Sequence, residues 1–132
     1  MLSLIRGILS YKFFPVCWTV FVIILLCLPG SLVPGNGIFS IPNLDKLVHV
    51  FLFGTNVMLW GWHFGPFVYS TAAMKKVILA DVLLTIVLGI GLEYVQLYFI
   101  PNRSFSEGDI VADIIGAALA GSWLWYRSLQ RV

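Results

Sequence analysis

The chain has 132 residues, of which 60% are hydrophobic and 11% charged, and its formal net charge is +2. Soluble domains carry roughly 45–50% apolar and about 25% charged residues, so polar side chains are too few here to cover a water-soluble fold. That excludes a soluble enzyme and a disordered tail, the small charge excludes an electrostatic nucleic-acid binder, and two cysteines make no disulfide scaffold.

Composition leaves an integral membrane protein. At about 20 apolar residues per crossing, the length allows four helices or at most five. The first span is expected over about 13–32. No residue between Lys12 and Asp45 is charged. Pro29-Gly30, then Pro34, Gly35, Gly37 and Pro42, make the next segment a loop. Arg6 and Lys12 resemble the basic end of a signal peptide. The apolar run is longer than the usual stretch of about 7–15 residues, however, and no A-x-A-like site comes after it, so it is read as a retained helix. Cys17 and Cys27 lie in it and are read as small packing residues.

The second span is expected over about 45–64, stopped by Gly65-Pro66. The third covers about 77–99, carries Asp81 and Glu93, and is ended by Pro101. The fourth covers about 109–126 and is closed by Arg127. The runs are continuous rather than alternating, which favours helices over a barrel. The expected fold is therefore all-α: residues 1–132 form one polytopic membrane domain, a four-transmembrane-helix bundle.

Basic residues set the orientation. Arg6, Lys12, Lys75, Lys76, Arg127 and Arg131 fall on one side of such a bundle, and only Lys46 and Arg103 on the other. Both termini are thus expected in the cytoplasm (N-in/C-in). Tyr11, Trp18, Trp60, Trp62, Tyr98, Trp123, Trp125 and Tyr126 fall near span ends, as an interfacial belt does.

Ionisable groups within spans are expensive and mark function or a paired network. The second helix enters from outside with Asp45, Lys46 and His49. The third leaves with Glu93 and Gln96, and the fourth enters with Asp109 and Asp113. At ~1.5 Å per residue, His49, Glu93 and Asp113 share a depth of roughly 5–10 Å below the outer interface. Helical spacing puts Asp45, His49, Leu52 and Asn56 on one stripe. It puts Asp109, Ala112, Asp113, Gly116 and Ala120 on another, a small-residue face suited to close helix approach. Gly89, Glu93 and Gln96 share a third face. The first helix packs behind the other three. With Glu107, the outer side holds five acids against Lys46 and Arg103.

These residues resemble the VanZ-like family of small bacterial membrane proteins. The resemblance rests on Asp45-Lys46-x-x-His49, Glu93-x-x-Gln96, Pro101-x-Arg103-Ser104 and Asp109-x-x-x-Asp113-x-x-Gly116, in that order, over roughly 44–121. The family often has asparagine where this chain has Asp113. The resemblance implies a bacterial inner-membrane location and an outward-facing ligand-binding site. It also implies a link to resistance against the glycopeptide teicoplanin.

Each polar residue also has a structural reading. Ser106-Glu107-Gly108-Asp109 reads as a capping box, and Asp45 could cap the second helix or favour its positive end. His49 could bond Glu93, and Gln96 could be interhelical glue. Arg103 is either a headgroup-level cation or the partner of the acids. Asp81 reads as a boundary residue beside Lys75 and Lys76, and His63 as interfacial. One histidine among carboxylates could hold a divalent cation, but no His-x-x-x-His or cysteine cluster exists, so no metal or other cofactor is expected. The expected function is recognition of a membrane lipid headgroup, a lipid-linked envelope precursor or an amphiphilic antibiotic, with no nucleic acid. The ligand-binding candidates are Asp45, Lys46, His49, Glu93, Gln96, Arg103, Asp109 and Asp113. An intramembrane enzyme acting on outer-leaflet lipid, or a structural partner of another envelope protein, are the alternatives.

Overall fold

A computed structural model describes residues 13–33 and 41–130. Among them are four α-helices and no strand: α1 (Phe13–Leu26), α2 (Leu44–Phe64), α3 (Thr71–Phe99) and α4 (Glu107–Leu129). Short 3-10 turns occupy Gly30–Leu32 and Gly65–Phe67. The expected all-α class is therefore found. Arg6, Tyr11, Lys12, Pro34, Gly35, Gly37 and Arg131 lie outside the described residues.

The helix ends differ from the apolar runs for local reasons. α1 stops at Leu26, well short of residue 32. Pro29 cannot continue a helix, and the Gly30 N–H instead donates to the Pro101 carbonyl at 3.1 Å. A Cβ at Gly30 would strike the Asn102 carbonyl, so only glycine lets the two loops touch there. α3 starts at Thr71, before the apolar run, because the Ser70 hydroxyl caps it by accepting from the Ala73 N–H at 3.4 Å. Lys75 and Lys76 are good helix formers that a hydropathy reading leaves out.

Two helices are long and apolar enough to cross a membrane, α3 with 29 residues and α4 with 23. At ~1.5 Å per residue they span about 43 and 35 Å, against a ~30 Å hydrocarbon core. α1 is apolar but has 14 residues. α2 has 21, diluted by Asp45, Lys46, His49, Asn56 and His63.

α2 is central and packs most extensively on α4. Their backbones nearly touch: a Cβ at Gly54 would lie 3.1 Å from the Gly116 carbonyl oxygen, and one at Gly116 would collide with Val50. One buried cluster (Val57, Met74, Ile78, Ala117, Ala120 and Leu124) joins α2, α3 and α4. A second, with Val22, Leu26, Leu52, Phe53 and Leu92, fixes α1 against α2 and α3. Cys27 packs on that second cluster. Cys17 does not act as a packing residue, since it faces outward and is exposed.

Polarity runs inside out. Leu47, Phe51, Leu83, Leu84, Val87 and Leu119 are exposed, whereas His49, Asn56, Asp81, Thr85, Glu93, Gln96 and Asp113 are buried. Asp81, near Lys75 and Lys76 in sequence, faces the bundle interior. It lies one turn from Thr85, and its Oδ2 has no hydrogen-bond partner among the described residues. Thr85 Oγ1 accepts from Asn56 Nδ2 at 3.1 Å, Asn56 Oδ1 accepts from the Thr19 hydroxyl at 2.7 Å, and Thr19 accepts from Trp60 Nε1 at 3.0 Å. This chain of bonds ties α1, α2 and α3 together at mid-height. Thr19 and Thr85 carry no sequence signal of that role beyond being polar in apolar runs.

Candidate functional site

α2, α3 and α4 bring His49, Glu93, Asp109 and Asp113 together near one end of the bundle. Local capping chemistry decides how. Ser106 caps α4, its Oγ accepting from the Asp109 N–H at 3.2 Å. A full capping box returns a bond from the fourth residue's carboxylate to the cap N–H. Here that donor is taken by another helix: the Ser106 N–H donates to Glu93 Oε2 at 2.9 Å. The Asp109 carboxylate is thereby free to turn toward α2. Its Oδ1 lies 3.4 Å from Lys46 Nζ and its Oδ2 3.8 Å from His49 Nε2. Replacing Ser106 by alanine keeps its backbone bond to Glu93 and removes only the side-chain cap. A loss of about 1 kcal/mol is expected in detergent-unfolding titrations.

His49 bonds Asp113, not Glu93: its Nδ1 is 2.8 Å from Asp113 Oδ1. The close α2–α4 crossing presses His49 against α4, while Glu93 is drawn to the cap. Gly89 makes room for the pair, since a Cβ there would lie 2.5 Å from Asp113 Oδ2. The Phe53 ring stacks on the imidazole, with centroids 6.1 Å apart and planes 7° apart. Glu93 and Asp113 are each 1% exposed and His49 4%.

The other candidates lie elsewhere. Asp45 does not cap α2. Asn43 stands at the N-cap in a left-handed conformation without a side-chain bond. Asp45 instead pairs with Lys46 at 3.2 Å, its side chain 58% exposed, and such a surface pair is worth little. Glu107 is exposed. Arg103 forms no ion pair with an acid among the described residues. Its Nε donates to the Leu28 carbonyl at 3.2 Å. Gln96 Nε2 likewise donates to the Leu26 carbonyl at 2.8 Å. The last carbonyls of a helix lack intrahelical partners; Gln96 supplies one to the final residue of α1, and Arg103 holds a carbonyl in the turn just past it. Gln96 is thus interhelical glue, and Arg103 is a brace.

Arg103 has a second surface. With Asp45 and His49 it lines a cavity of about 290 Å³ between the end of α1 and the start of α2. Among the described residues the remaining wall is apolar, including Leu25, Leu28, Leu32 and Val48. The cavity therefore offers an apolar wall with one cation, one carboxylate and one imidazole set into it.

Comparisons of the chain with protein-family models, curated proteins and solved structures find no match.

Proposed function

We propose that the chain is a four-span bacterial membrane protein of VanZ-like type, with both termini cytoplasmic, that binds the headgroup of an amphiphile at the outer leaflet. The observation that carries this reading is the cleft in which Arg103, Asp45 and His49 interrupt a leucine-rich wall. An apolar wall suits an acyl chain. A guanidinium beside a carboxylate suits a phosphate or a zwitterionic group. The inside-out polarity supports immersion in lipid, because exposed leucines and buried carboxylates fit hydrocarbon and not water. At the other end of the bundle, Lys75 lies 5.1 Å over the Trp125 ring and Arg127 5.6 Å over the Trp123 ring. Cations and tryptophans gathered there support a cytoplasmic interface opposite the cleft.

Purified protein in nanodiscs should bind a fluorescent phosphatidylglycerol or phosphatidylethanolamine analogue more tightly than an uncharged alkyl glucoside. Arg103→Ala should weaken that binding about tenfold or more, the value of one charge-assisted contact. Equal binding of all three probes, or no change in the variant, would remove the reading. A second reading comes from the His49–Asp113 contact, which leaves Nε2 available as a general base toward outer-leaflet lipid. The same incubations analysed by mass spectrometry separate the two, since only an enzyme consumes its lipid.

A further inference from the structure

We infer that His49 Nε2, Glu93 and Asp109 hold a divalent cation of the zinc or manganese class, with Asp113, Ser106 and Lys46 fixing the three ligands in place. The donors come from three helices, and one atom from each lies within 4.8 Å of the others. Donor atoms around one tetrahedral ion with bonds of about 2.0–2.2 Å sit roughly 3.3–3.6 Å apart. The 3.8 Å between His49 Nε2 and Asp109 Oδ2 is already close to that spacing.

More telling is how each ligand is held. Every one of the three has one polar atom tied to a neighbour and a second polar atom that can ligate. His49 Nδ1 is tied to Asp113 Oδ1, Glu93 Oε2 to the Ser106 N–H, and Asp109 Oδ1 to Lys46 Nζ. With Asp113 ionised and the imidazole neutral, as a metal ligand must be, the ring proton sits on Nδ1 and Nε2 carries the lone pair. A carboxylate behind a histidine, fixing its tautomer and ring plane, is the usual support of a metal-binding imidazole. Nε2 is not used in that bond, and its neighbour is Asp109 Oδ2 at 3.8 Å. Charge points the same way. Three carboxylates, Glu93, Asp109 and Asp113, gather at His49, and among the described residues Lys46 pairs with Asp109 alone of the three and is shared with Asp45. Buried carboxylates call for a compensating cation. Three protein ligands of mixed nitrogen and oxygen type leave a further position for water or a ligand oxygen. The cation site shares His49 with the cleft, but its ligands do not depend on what fills the cleft.

The test is metal content and thermal unfolding of full-length protein in detergent, stripped with EDTA and reloaded with Zn²⁺ or Mn²⁺ without added lipid. One ion per chain and a raised Tm are expected. Glu93→Gln and His49→Ala should lose both effects. Asp113→Asn should keep the stoichiometry at saturation with affinity about 10–100-fold weaker. His63→Ala should bind as the wild type does. If the variants fail to fold, Co²⁺ added to the wild type decides: a visible band of nitrogen and oxygen ligation supports the site, and its absence overturns it. Wild type that retains no ion, or binding that survives His49→Ala, also overturns it. Lipid binding measured separately in EDTA keeps this outcome distinct from the fate of the cleft.

Discussion

Replacing either His49 or Asp113 by alanine is expected to destabilise the bundle by about 3 kcal/mol or more, measured by unfolding titration in EDTA. A single hydrogen bond between helices is worth little on average, often about 1 kcal/mol or less. The larger figure comes from the group left behind. Asp113 is 1% exposed and its Oδ2 already lacks a partner among the described residues. Without His49, its other oxygen loses the 2.8 Å contact as well. Removing one member of a buried pair leaves an uncompensated polar group, at a typical cost of 3–5 kcal/mol. The double alanine variant removes both groups together. It should be little worse than either single variant, giving a coupling of at least about 2 kcal/mol. Asp113→Asn differs, because an amide oxygen still accepts from the Nδ1–H, and its cost should stay within about 1 kcal/mol. Single alanine costs below about 1 kcal/mol that add in the double variant would show that the two residues merely touch.

The pair also shows what the sequence can and cannot display. Helical spacing places His49 on the inner face of α2 and Asp113 on the small-residue face of α4, and both are buried. Spacing along a helix says nothing about which neighbouring face each meets. That is settled by how closely α2 and α4 cross, a matter of backbone contact at Gly54 and Gly116. The same limit explains Arg103. Its charge points to the acids, but a backbone carbonyl in the turn after α1, invisible in a charge count, takes its Nε–H at Leu28. Capping competition is hidden for a similar reason. Ser106-x-x-Asp109 has the box pattern, yet Glu93, thirteen residues earlier, reaches the cap N–H first. The inward aim of Asp81 is hidden in a linear reading because a position along α3 gives depth only. All-α class and the inward faces are thus legible in the chain, while partner choice across helices is not.

Two glycine-to-alanine substitutions should have opposite effects, and their contrast tests the crossing that assembles the site. Alanine is the better helix former by roughly 0.5–1 kcal/mol, so an unobstructed site gains from the change. At Gly91 of α3, an added Cβ meets nothing within 4 Å. Gly91→Ala should therefore be neutral or slightly stabilising. At Gly116 of α4, the same atom would fall on the Val50 carbonyl and Cα of α2. Backbone cannot swing aside as a flexible side chain does, so the helices must separate. Overpacking of this kind costs typically about 1–3 kcal/mol. Net of propensity, Gly116→Ala should lose about 1 kcal/mol or more. Separation at Gly116 also moves Asp113, one turn away on the same face, from His49. Gly116→Ala should therefore weaken the His49–Asp113 coupling in a double-mutant cycle, whereas Gly91→Ala should not. Equal stability of the two variants would mean that the α2–α4 contact yields easily, and a yielding contact could not hold His49, Asp109 and Asp113 at fixed separations.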